Sequence, residues 1–482
     1  MAYPPQGYGG SGGGGPGADT RGRTIVVAAS NSVDPTLAPA AYRCDGVDDQ
    51  VEINAAITAL GAIGGTVILL EGTYNITASI NLSSNTTLMG QGAGTVLRIP
   101  DGHNADLNVI SAVSVTNVLV ADLHIDGNRT NQGAGIMNGI YFDTVTFSKI
   151  SHCWVENMYC PNYLFPNNGI YLHGSSENTI TGNTCQGNWR GNGIQLDSSS
   201  DNAVTGNVCY DNWNFGIYLY SSIDNSITGN TCGYNTYGIN ISDSSENTIT
   251  GNTCSNNNLG INLDGSSIYN TVTGNTCQGN AYEGISLYQA SDNTITGNTC
   301  IGNLHAGINL ENNSNNNTLT GNTCNGNHIG FNIMSGSSNN TITGNTADFN
   351  DGDGIDLDES DNNTVTGNTC QGNGFNGIYL VGCSNNTISS NTVVGNSQDT
   401  DNTYFGIHLE GGSNYNSIQA NTVRHAGGAN QHKHGIDISD ITCTGNLVIN
   451  NDLYQAGRTA DYNNAGTGTI YHNNRTTTGW VP

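Results

Sequence analysis

The sequence is poor in cations. It holds eleven Lys and Arg against 38 Asp and Glu, a formal charge of −27 over 482 residues. None of the eleven lies between Arg190 and Arg424. A nucleic acid or other polyanion could not be held along such a surface without bound cations. No apolar run approaches the roughly 18 residues that a membrane-spanning helix needs, so no membrane insertion is expected. No Cys-x-x-Cys occurs, and within the repeats described below no apolar stripe of helical period persists. The first residues, Met1-Ala-Tyr-Pro-Pro-Gln-Gly-Tyr8, lack the basic and apolar regions of a secretory leader. If they are the native start, a chain not exported by the general secretory route is expected, with reduced cysteines. Charged residues make up only 10%, and abundant Asn, Ser and Thr give a neutral polar coat suited to polyhydroxyl ligands.

What is present is a repeat. Gly-Ile or a near copy returns at Gly169, Gly193, Gly216, Gly238, Gly260, Gly284, Gly307, Gly330, Gly354, Gly377, Gly406 and Gly435, in steps of 22 to 24 residues that lengthen to 29 at the end. Such a period signals a solenoid. In Gly238-Ile239-Asn240-Ile241-Ser242 the apolar residues alternate, and Thr248-Ile249-Thr250 and Asn252-Thr253-Cys254 add two more short segments. That is the period of strands. Gly, Asn, Asp and Ser fill the turns between them. The spacing predicts an all-β fold, a right-handed parallel β-helix with three short strands per coil of about 23 residues.

Two asparagine columns run through the copies, from Asn178 to Asn386 and from Asn183 to Asn391. Coils stack about 4.8 Å apart, so like amides can hydrogen-bond up the stack. A cysteine column runs Cys185, Cys209, Cys232, Cys254, Cys277, Cys300, Cys324 and Cys370, but Ala347, Val393 and Val423 take the same place. A position that accepts Ala and Val wants a small apolar filler, so buried thiols are expected rather than disulfides or a metal. Cys44, Cys153, Cys160, Cys383 and Cys443 fall outside the column. Of these, Cys153 and Cys160 are the pair to test for a bridge.

The chain divides into a Gly/Pro-rich leader or anchoring arm (1–23), an N-terminal cap and first coils (24–100), the β-helix (101–450) and a C-terminal cap (451–482). The leader reads either as a flexible linker or as a tether, with Tyr3 and Tyr8 anchoring it in a neighbouring subunit or virion protein. Asp45 to Leu60 reads as one short helix, with Val51, Ala55, Ala56 and Ile57 as its apolar face, closing the open end of the first coil. Residues 133 to 168 read as an irregular aromatic insertion.

Asp45-Gly-Val-Asp-Asp49, Ile53-Asn-Ala-Ala-Ile57, Gly65-Thr-Val67, Gly72-Thr-Tyr74 and Leu88-Met-Gly-Gln-Gly92 together resemble the entry to pectin-lyase-like right-handed β-helices, a superfamily of phage tailspikes, pectate lyases, polygalacturonases and mannuronan epimerases. The repeated Asn-Thr-Ile-Thr-Gly-Asn resembles the periplasmic accessory β-helix family of nitrous-oxide reductase. Together these cover roughly residues 40 to 450 and imply the fold far more than an activity. Leu123 to Gln132 is similar to the segment preceding the active site of mannuronan epimerases, but their Asp-Pro-His motif is absent. The sole Asp-Pro is Asp34-Pro35.

In the resembled superfamily substrates lie across outward residues of one stacked sheet. Here the first outward column reads Tyr171, Gln195, Tyr218, Asn240, Asn262, Ser286, Asn309, Asn332, Asp356, Tyr379, His408, Asp437. The second reads His173, Asp197, Tyr220, Ser242, Asp264, Tyr288, Glu311, Met334, Asp358, Val381, Glu410, Ser439. Asp351, Asp353, Asp356 and Asp358 form the densest acid cluster, with Tyr379, His408 and Glu410 on the next two coils. Asp356 and Asp358 would stand about 7 Å apart, and Asp358 and Glu410 about 9–10 Å. These separations bracket the roughly 6.5–9.5 Å of inverting glycosidases. The pattern is similar to the paired-Asp strand of polygalacturonases, without their Gly-His-Gly and Arg-x-Lys signatures. Three readings stand: solvated turn acids, a Ca²⁺ held by Asp351, Asp353 and Asp356 without EF-hand spacing, or catalysis by Asp356, Asp358, Glu410 and His408. Tyr171, His173, Tyr218, Tyr220, Tyr288 and Tyr379 are candidates for stacking on sugar rings. His425, His432 and His434 show no metal-ligand spacing on one strand.

The expectation is therefore a structural and recognition protein, a virion tail spike or fibre or a surface filament subunit. It would sit at the virion or cell exterior, bind cell-surface polysaccharide and assemble as a homo-oligomer, trimer or filament, with no cofactor beyond a possible Ca²⁺. The alternative is a polysaccharide-degrading glycoside hydrolase. Lyase chemistry is disfavoured, because the central face has no Arg or Lys to neutralise a uronate.

Overall fold

The computed structural model describes residues 23–33, 42–161, 167–427 and 430–481. The leader with Tyr3 and Tyr8, Asp34-Pro35, Tyr163 and Phe165 lie outside the described residues.

A typical coil contributes one strand to each of three parallel sheets, which among the described residues hold sixteen, fifteen and nineteen strands. The chain is a parallel β-helix. The long strands, such as Tyr237–Ser242, form one sheet; Thr-Ile-Thr strands such as Thr248–Thr250 form the second; cysteine strands such as Thr253–Ser255 form the third. Like stands on like. Ile239 pairs with Ile261, Ile249 with Val272, and Cys254 with Cys277. These inward side chains are wholly buried and make one continuous core. No proline occurs between Pro166 and Pro482, as expected where strands are paired on both edges and a missing N–H would break a ladder.

The repeat residues now have physical roles. Gly182, Gly206, Gly229, Gly251, Gly274, Gly297, Gly321, Gly344 and Gly367 all sit at φ 62–64°, the left-handed turn into the cysteine strand. The Gly-Ile glycines serve differently. A Cβ on Gly238 would stand 2.5 Å from the Gly260 carbonyl oxygen and 2.9 Å from Cys254 Cβ, so glycine there and a small side chain opposite are one packing unit.

Both expected asparagine columns are hydrogen-bonded ladders. The backbone N–H and Nδ2 of Asn230 both donate to Asn252 Oδ1, at 2.9 and 3.0 Å, and Nδ2 also donates to the Val204 carbonyl at 2.9 Å. A third ladder, not foreseen, runs from Asn188 through Asn212, Asn235 and Asn257 to Asn396, where His432 Nε2 takes the Asn396 N–H at 2.7 Å. A serine ladder joins them, Ser199 N–H donating to Ser222 Oγ. Cys383 stands in that ladder rather than in the cysteine column. Its sulfur accepts the Ser360 N–H and donates to carbonyls. The column thiols are buried and free, and so is Cys153, which leaves Cys153 and Cys160 unbridged.

Several expectations need correction. The helix, α1, spans Gln50–Leu60 and packs over the first strands as a cap. Asp45, Asp48 and Asp49 precede it, and its buried face is Ile53, Ala56, Ile57 and Leu60, whereas Val51 is 58% exposed and Ala55 is exposed too. The stretch 133–168 is no insertion over most of its length. Met137–Asp143, Lys149–Ser151 and Trp154–Glu156 build a regular coil with Phe142 in the core. Nor do the coils stop at 450: Ala460–Asn464 and Ile470–His472 pair in parallel with the preceding turns, and an antiparallel hairpin of Asn474–Thr476 with Gly479–Val481 follows.

Candidate functional site

The outward side of the long-strand sheet is where chemically versatile residues accumulate. Its first column is continuous in register: Tyr141, Tyr171, Gln195, Tyr218, Asn240, Asn262, Ser286, Asn309, Asn332, Asp356, Tyr379, His408, Asp437 and Asn463. At the coil spacing it extends about 60 Å. Many of its members are buried by their neighbours although they point away from the core, among them Asn240, Asn262, Ser286 and Asn309. Amides there bond along the column, Asn262 Nδ2 to Asn240 Oδ1 at 2.7 Å.

One end of this face is aromatic. Tyr141 and Tyr171 lie 5.2 Å apart, and Phe215 packs on Tyr218 at 4.4 Å and on Tyr237 at 5.2 Å. Tyr171 Oη donates to Asp197 Oδ2 at 3.0 Å, with His173 Nδ1 3.5 Å from the same oxygen. Burial pushes the Tyr218 phenol up to about 12, so it remains a neutral donor. Tyr220 and Tyr288 are exposed. Of the residues expected to stack on sugars, Tyr171 neighbours His173 and Tyr218 neighbours Tyr220, with one coil, Gln195 and Asp197, between the two pairs, while Tyr379 lies beside Asp356 at the far end of the face. Tyr288 stands apart, separated from Tyr220 by Ser242 and Asp264 in the second column.

The other end is acidic, three outward positions wide and four coils long. Its three columns read Asp353, Asn376, Phe405, His434; Asp356, Tyr379, His408, Asp437; and Asp358, Val381, Glu410, Ser439. Tyr379 donates to Glu410 and stacks on His408 at 5.2 Å. His408 Nε2 lies 2.9 Å from Ser439 Oγ, 3.5 Å from Asp437 Oδ2 and 3.7 Å from Glu410 Oε2. Asp437 is also bonded to His434 Nδ1 at 2.6 Å and accepts Asn463 Nδ2 at 2.7 Å. Burial lowers the His408 imidazole, against the opposing pull of Asp437 and Glu410.

The acids differ in circumstance. Asp353 is buried and accepts both the N–H and Nδ2 of Asn376, at 2.7 and 2.8 Å; burial still raises its carboxyl to about 6. Asp356 Oδ1 is buried without a hydrogen-bond partner. Its carboxyl is raised well above the usual range, by burial first and then by Asp353 and Asp358. The residue as a whole is half-buried, so the burial falls on Oδ1. Asp358 is raised by burial and Glu359.

The expected set Asp356, Asp358, His408, Glu410 and Tyr379 thus shares one surface, to which the structure adds Asp437, His434 and Phe405. Asp437 was readable as a column member. His434 was obscured because the long loop before it hides that it opens a strand. The candidate calcium trio does not converge among the described residues: Asp353 Oδ1 takes both donations from Asn376, and Asp351 opens into a separate cleft beside Phe349 and Asp399. A cleft of about 570 Å³ between Asn117, Phe147, Lys149 and Glu177 holds none of these residues.

A family model described as periplasmic copper-binding protein (NosD) matches residues 106–270, 224–350 and 313–480, which together run over most of the chain. The chain belongs to the NosD family. It is also similar, at 39% identity over 101 residues, to mannuronan C5-epimerase AlgE6 of Azotobacter vinelandii, an alignment covering 18% of this chain and 12% of that protein. The chain therefore matches only a small part of the length of that relative. Among solved structures, a mutant tailspike protein of E. coli bacteriophage HK620, in complex with a pentasaccharide, superposes with a TM-score of 0.53 at 14% identity, over 86% of this chain and 78% of that one. That likeness shows the fold. The A-module of the A. vinelandii mannuronan C-5 epimerase AlgE4 covers 88% of this chain and 96% of its own at 18% identity, with a TM-score of 0.32.

Copper, which the NosD description names, takes imidazole and carboxylate as Cu(II) or thiolate and thioether as Cu(I). The donors described here do not fit it. His408 and His434 each commit one ring nitrogen, to Ser439 and Asp437, but among the described residues neither imidazole converges with two further His, Cys, Asp or Glu donors, and the column sulfurs are sealed in the core. Among the described residues the one convergent trio is Cys44, Asp49 and Glu52. There both Asp49 oxygens accept backbone N–H groups, from Gly46 and Asn75, and burial raises the Cys44 thiol far out of the thiolate range.

Proposed function

We propose that this NosD-family β-helix binds a neutral polysaccharide lengthwise along the outward side of its long-strand sheet. The observation that carries the reading is the unbroken first column, aromatic at one end, amide in the middle and acidic at the other. Aromatic rings supply apolar contact with little rotamer loss, and the half-buried acids of the adjoining second column, Asp264, Glu311, Asp358 and Glu410, accept hydroxyl protons. The lack of any Lys or Arg from 191 to 423 argues for an uncharged ligand. A carbohydrate ligand agrees with the tailspike's pentasaccharide, whereas the mannuronan of the epimerase relative is a polyanion that a face without cations does not favour, and the family's periplasmic description agrees with a place outside the cytoplasm. A virion spike or fibre, or a surface filament built from several copies with the leader as anchor, is the architecture we favour for a rod of this kind.

Affinity electrophoresis in dextran, mannan and β-glucan, with alginate as the polyanionic control, tests the reading. Retardation by a neutral polymer, weakened about tenfold in Tyr218→Ala, is the expected result. Retardation by alginate alone would sink it.

A second reading rests on Asp356 Oδ1. An unpartnered buried carboxyl oxygen beside a second acid is the arrangement of a general acid next to a base. In that reading Asp356 protonates the leaving oxygen, Asp358 or Glu410 takes a proton from the attacking water, and His408 and Tyr379 hold Glu410. Shortened products that disappear in Asp356→Asn while binding persists would establish hydrolysis. Intact polymer after prolonged incubation would leave binding alone.

A further inference from the structure

The left-handed turn that follows each cysteine strand is filled by glycine at Gly187, Gly279, Gly302, Gly326 and Gly372, all at φ 62–64°. Two coils place an aromatic there instead, Tyr234 at φ 57° and Phe349 at φ 55°, and only Phe349 stands beside a cleft of acceptors. A bulky residue in this region is an outlier, and the core does not demand it, since Phe349 is 62% exposed. Its ring lies against the next coil's glycine. A Cβ on Gly372 would come within 2.8 Å of both Cδ1 and Cε1, so the glycine makes room for the ring and leaves its other side to solvent.

Beside the ring is a cleft of about 500 Å³ lined by Phe349, Asn350, Asp351, Gly372, Gly374, Gln398 and Asp399. The polar rim is acceptor-rich and without cations. Asp351 and Asp399 are exposed carboxylates. The Gln398 amide is held by donation of Nε2 to the Gly395 and Asn430 carbonyls, at 2.7 and 3.1 Å, which fixes its Oε1 as an acceptor. Asp351 and Asp399 belong to no convergent trio of metal donors.

We propose that this corner is a binding site for one neutral pyranose unit, its C–H face against Phe349 and its hydroxyls donating to Asp351, Asp399 and Gln398. An aromatic floor and an acceptor rim match a ligand that is apolar on one face and donor-rich at its edge. The site lies at the turn between a cysteine strand and a long strand, off the face assigned to polysaccharide above, and stands independently of that assignment.

Saturation-transfer NMR on the full chain with the methyl pyranosides of glucose, galactose and mannose tests it. Transfer to at least one glycoside is expected. It should weaken about tenfold in Phe349→Asn, a substitution that suits the left-handed turn and so keeps the melting temperature, and severalfold in Asp399→Asn. Phe349→Trp should retain it, and so should Tyr218→Ala, which alters only the other face. No transfer to any of the three glycosides, or equal transfer in wild type and Phe349→Asn, would overturn the proposal.

Discussion

Gly238 and Cys254 meet across the interior of one coil, so close that a methyl group on the glycine would stand 2.9 Å from the cysteine Cβ. The neighbouring Gly260 carbonyl leaves even less space, at 2.5 Å. Gly238→Ala should therefore destabilise the rod by about 1–3 kcal/mol, the ordinary cost of overpacking. Gly251 is the contrasting case. It has φ 62° and nothing within 4 Å of a built Cβ, so Gly251→Ala should cost only about 1 kcal/mol of backbone strain, and Gly251→Asn less. Urea unfolding of the three variants ranks the two kinds of glycine. Equal losses at positions 238 and 251 would contradict the packing account.

The asparagine ladders carry a larger consequence. In Asn252→Ala the Asn230 N–H and Nδ2 lose their shared acceptor, and the donations of Asn252 Nδ2 to the Ile227 carbonyl and Asn275 Oδ1 vanish. Leaving buried polar groups unsatisfied costs about 1–3 kcal/mol each, so a loss of about 3–5 kcal/mol is expected. Asn252→Asp should be no better, since a carboxylate cannot donate to Asn275. Denaturation midpoints decide this, and a loss under 1 kcal/mol would mean that the ladder is ornamental.

Repetition made the fold readable before any coordinates. The Gly-Ile step and the Thr-Gly-Asn-Thr-Cys step share one period, so strand count, inward residues and both outward columns followed from alternation alone. The third ladder was harder to see because its asparagines sit among changing neighbours, as in Asn188-Trp189 and Asn235-Thr236, although the period was present. The coil holding Met137–Asp143 was missed because it is 30 residues from its successor in register rather than 23, Tyr141 pairing with Tyr171. For the site, column membership was legible but contact was not. That Tyr379 bonds Glu410 and that His434 reaches Asp437 depends on side-chain reach between coils, which spacing does not specify.

The cysteine column should be chemically silent. Its sulfurs are wholly buried, and the residues stack in register, Cys209 between Cys185 and Cys232. Burial raises the Cys370 thiol, and outside the column it takes Cys153 to about 12. Thiol reagents require thiolate and access. Iodoacetamide should leave the column unlabelled in the native protein and modify all of it in denaturant, as mass spectrometry of peptides would show. Labelling of Cys254 under native conditions would refute a sealed core.

Asp353 gives a pH dependence whose sign is fixed by burial. Its carboxyl is raised from 3.8 to about 6 in the folded chain, so the folded state holds the proton more tightly than the unfolded one. The stabilisation is complete below about pH 4 and is lost as pH rises through 6, up to about 3 kcal/mol. Asp353→Asn keeps an oxygen to accept from Asn376 and carries no charge. It should match the wild type near pH 4 and exceed it above pH 6.5, by urea unfolding at both values. A variant weaker than wild type at pH 7.5 would reverse the argument.

His432 titrates with the opposite consequence. It closes the third ladder as a neutral ring, Nδ1–H donating to the Ala456 carbonyl at 3.1 Å and Nε2 accepting the Asn396 N–H at 2.7 Å. Protonation would place a hydrogen where that N–H points, and burial lowers the imidazole from 6.5 to about 4. A base depressed on folding stabilises fully above its unfolded value, and that contribution fades as pH falls from 6.5 through 4, up to about 3 kcal/mol. The loss is local to the coils joined by Asn396, His432 and Ala456, because a solenoid's coils contact only their neighbours. Amide exchange at Asn396 should therefore accelerate relative to Asn303 as pH is lowered from 7 to 4, after correction for intrinsic exchange. In His432→Asn, which continues the ladder with a group that does not titrate, the ratio should stay constant; a ratio that shifts equally in both proteins would place the acid-sensitive group elsewhere.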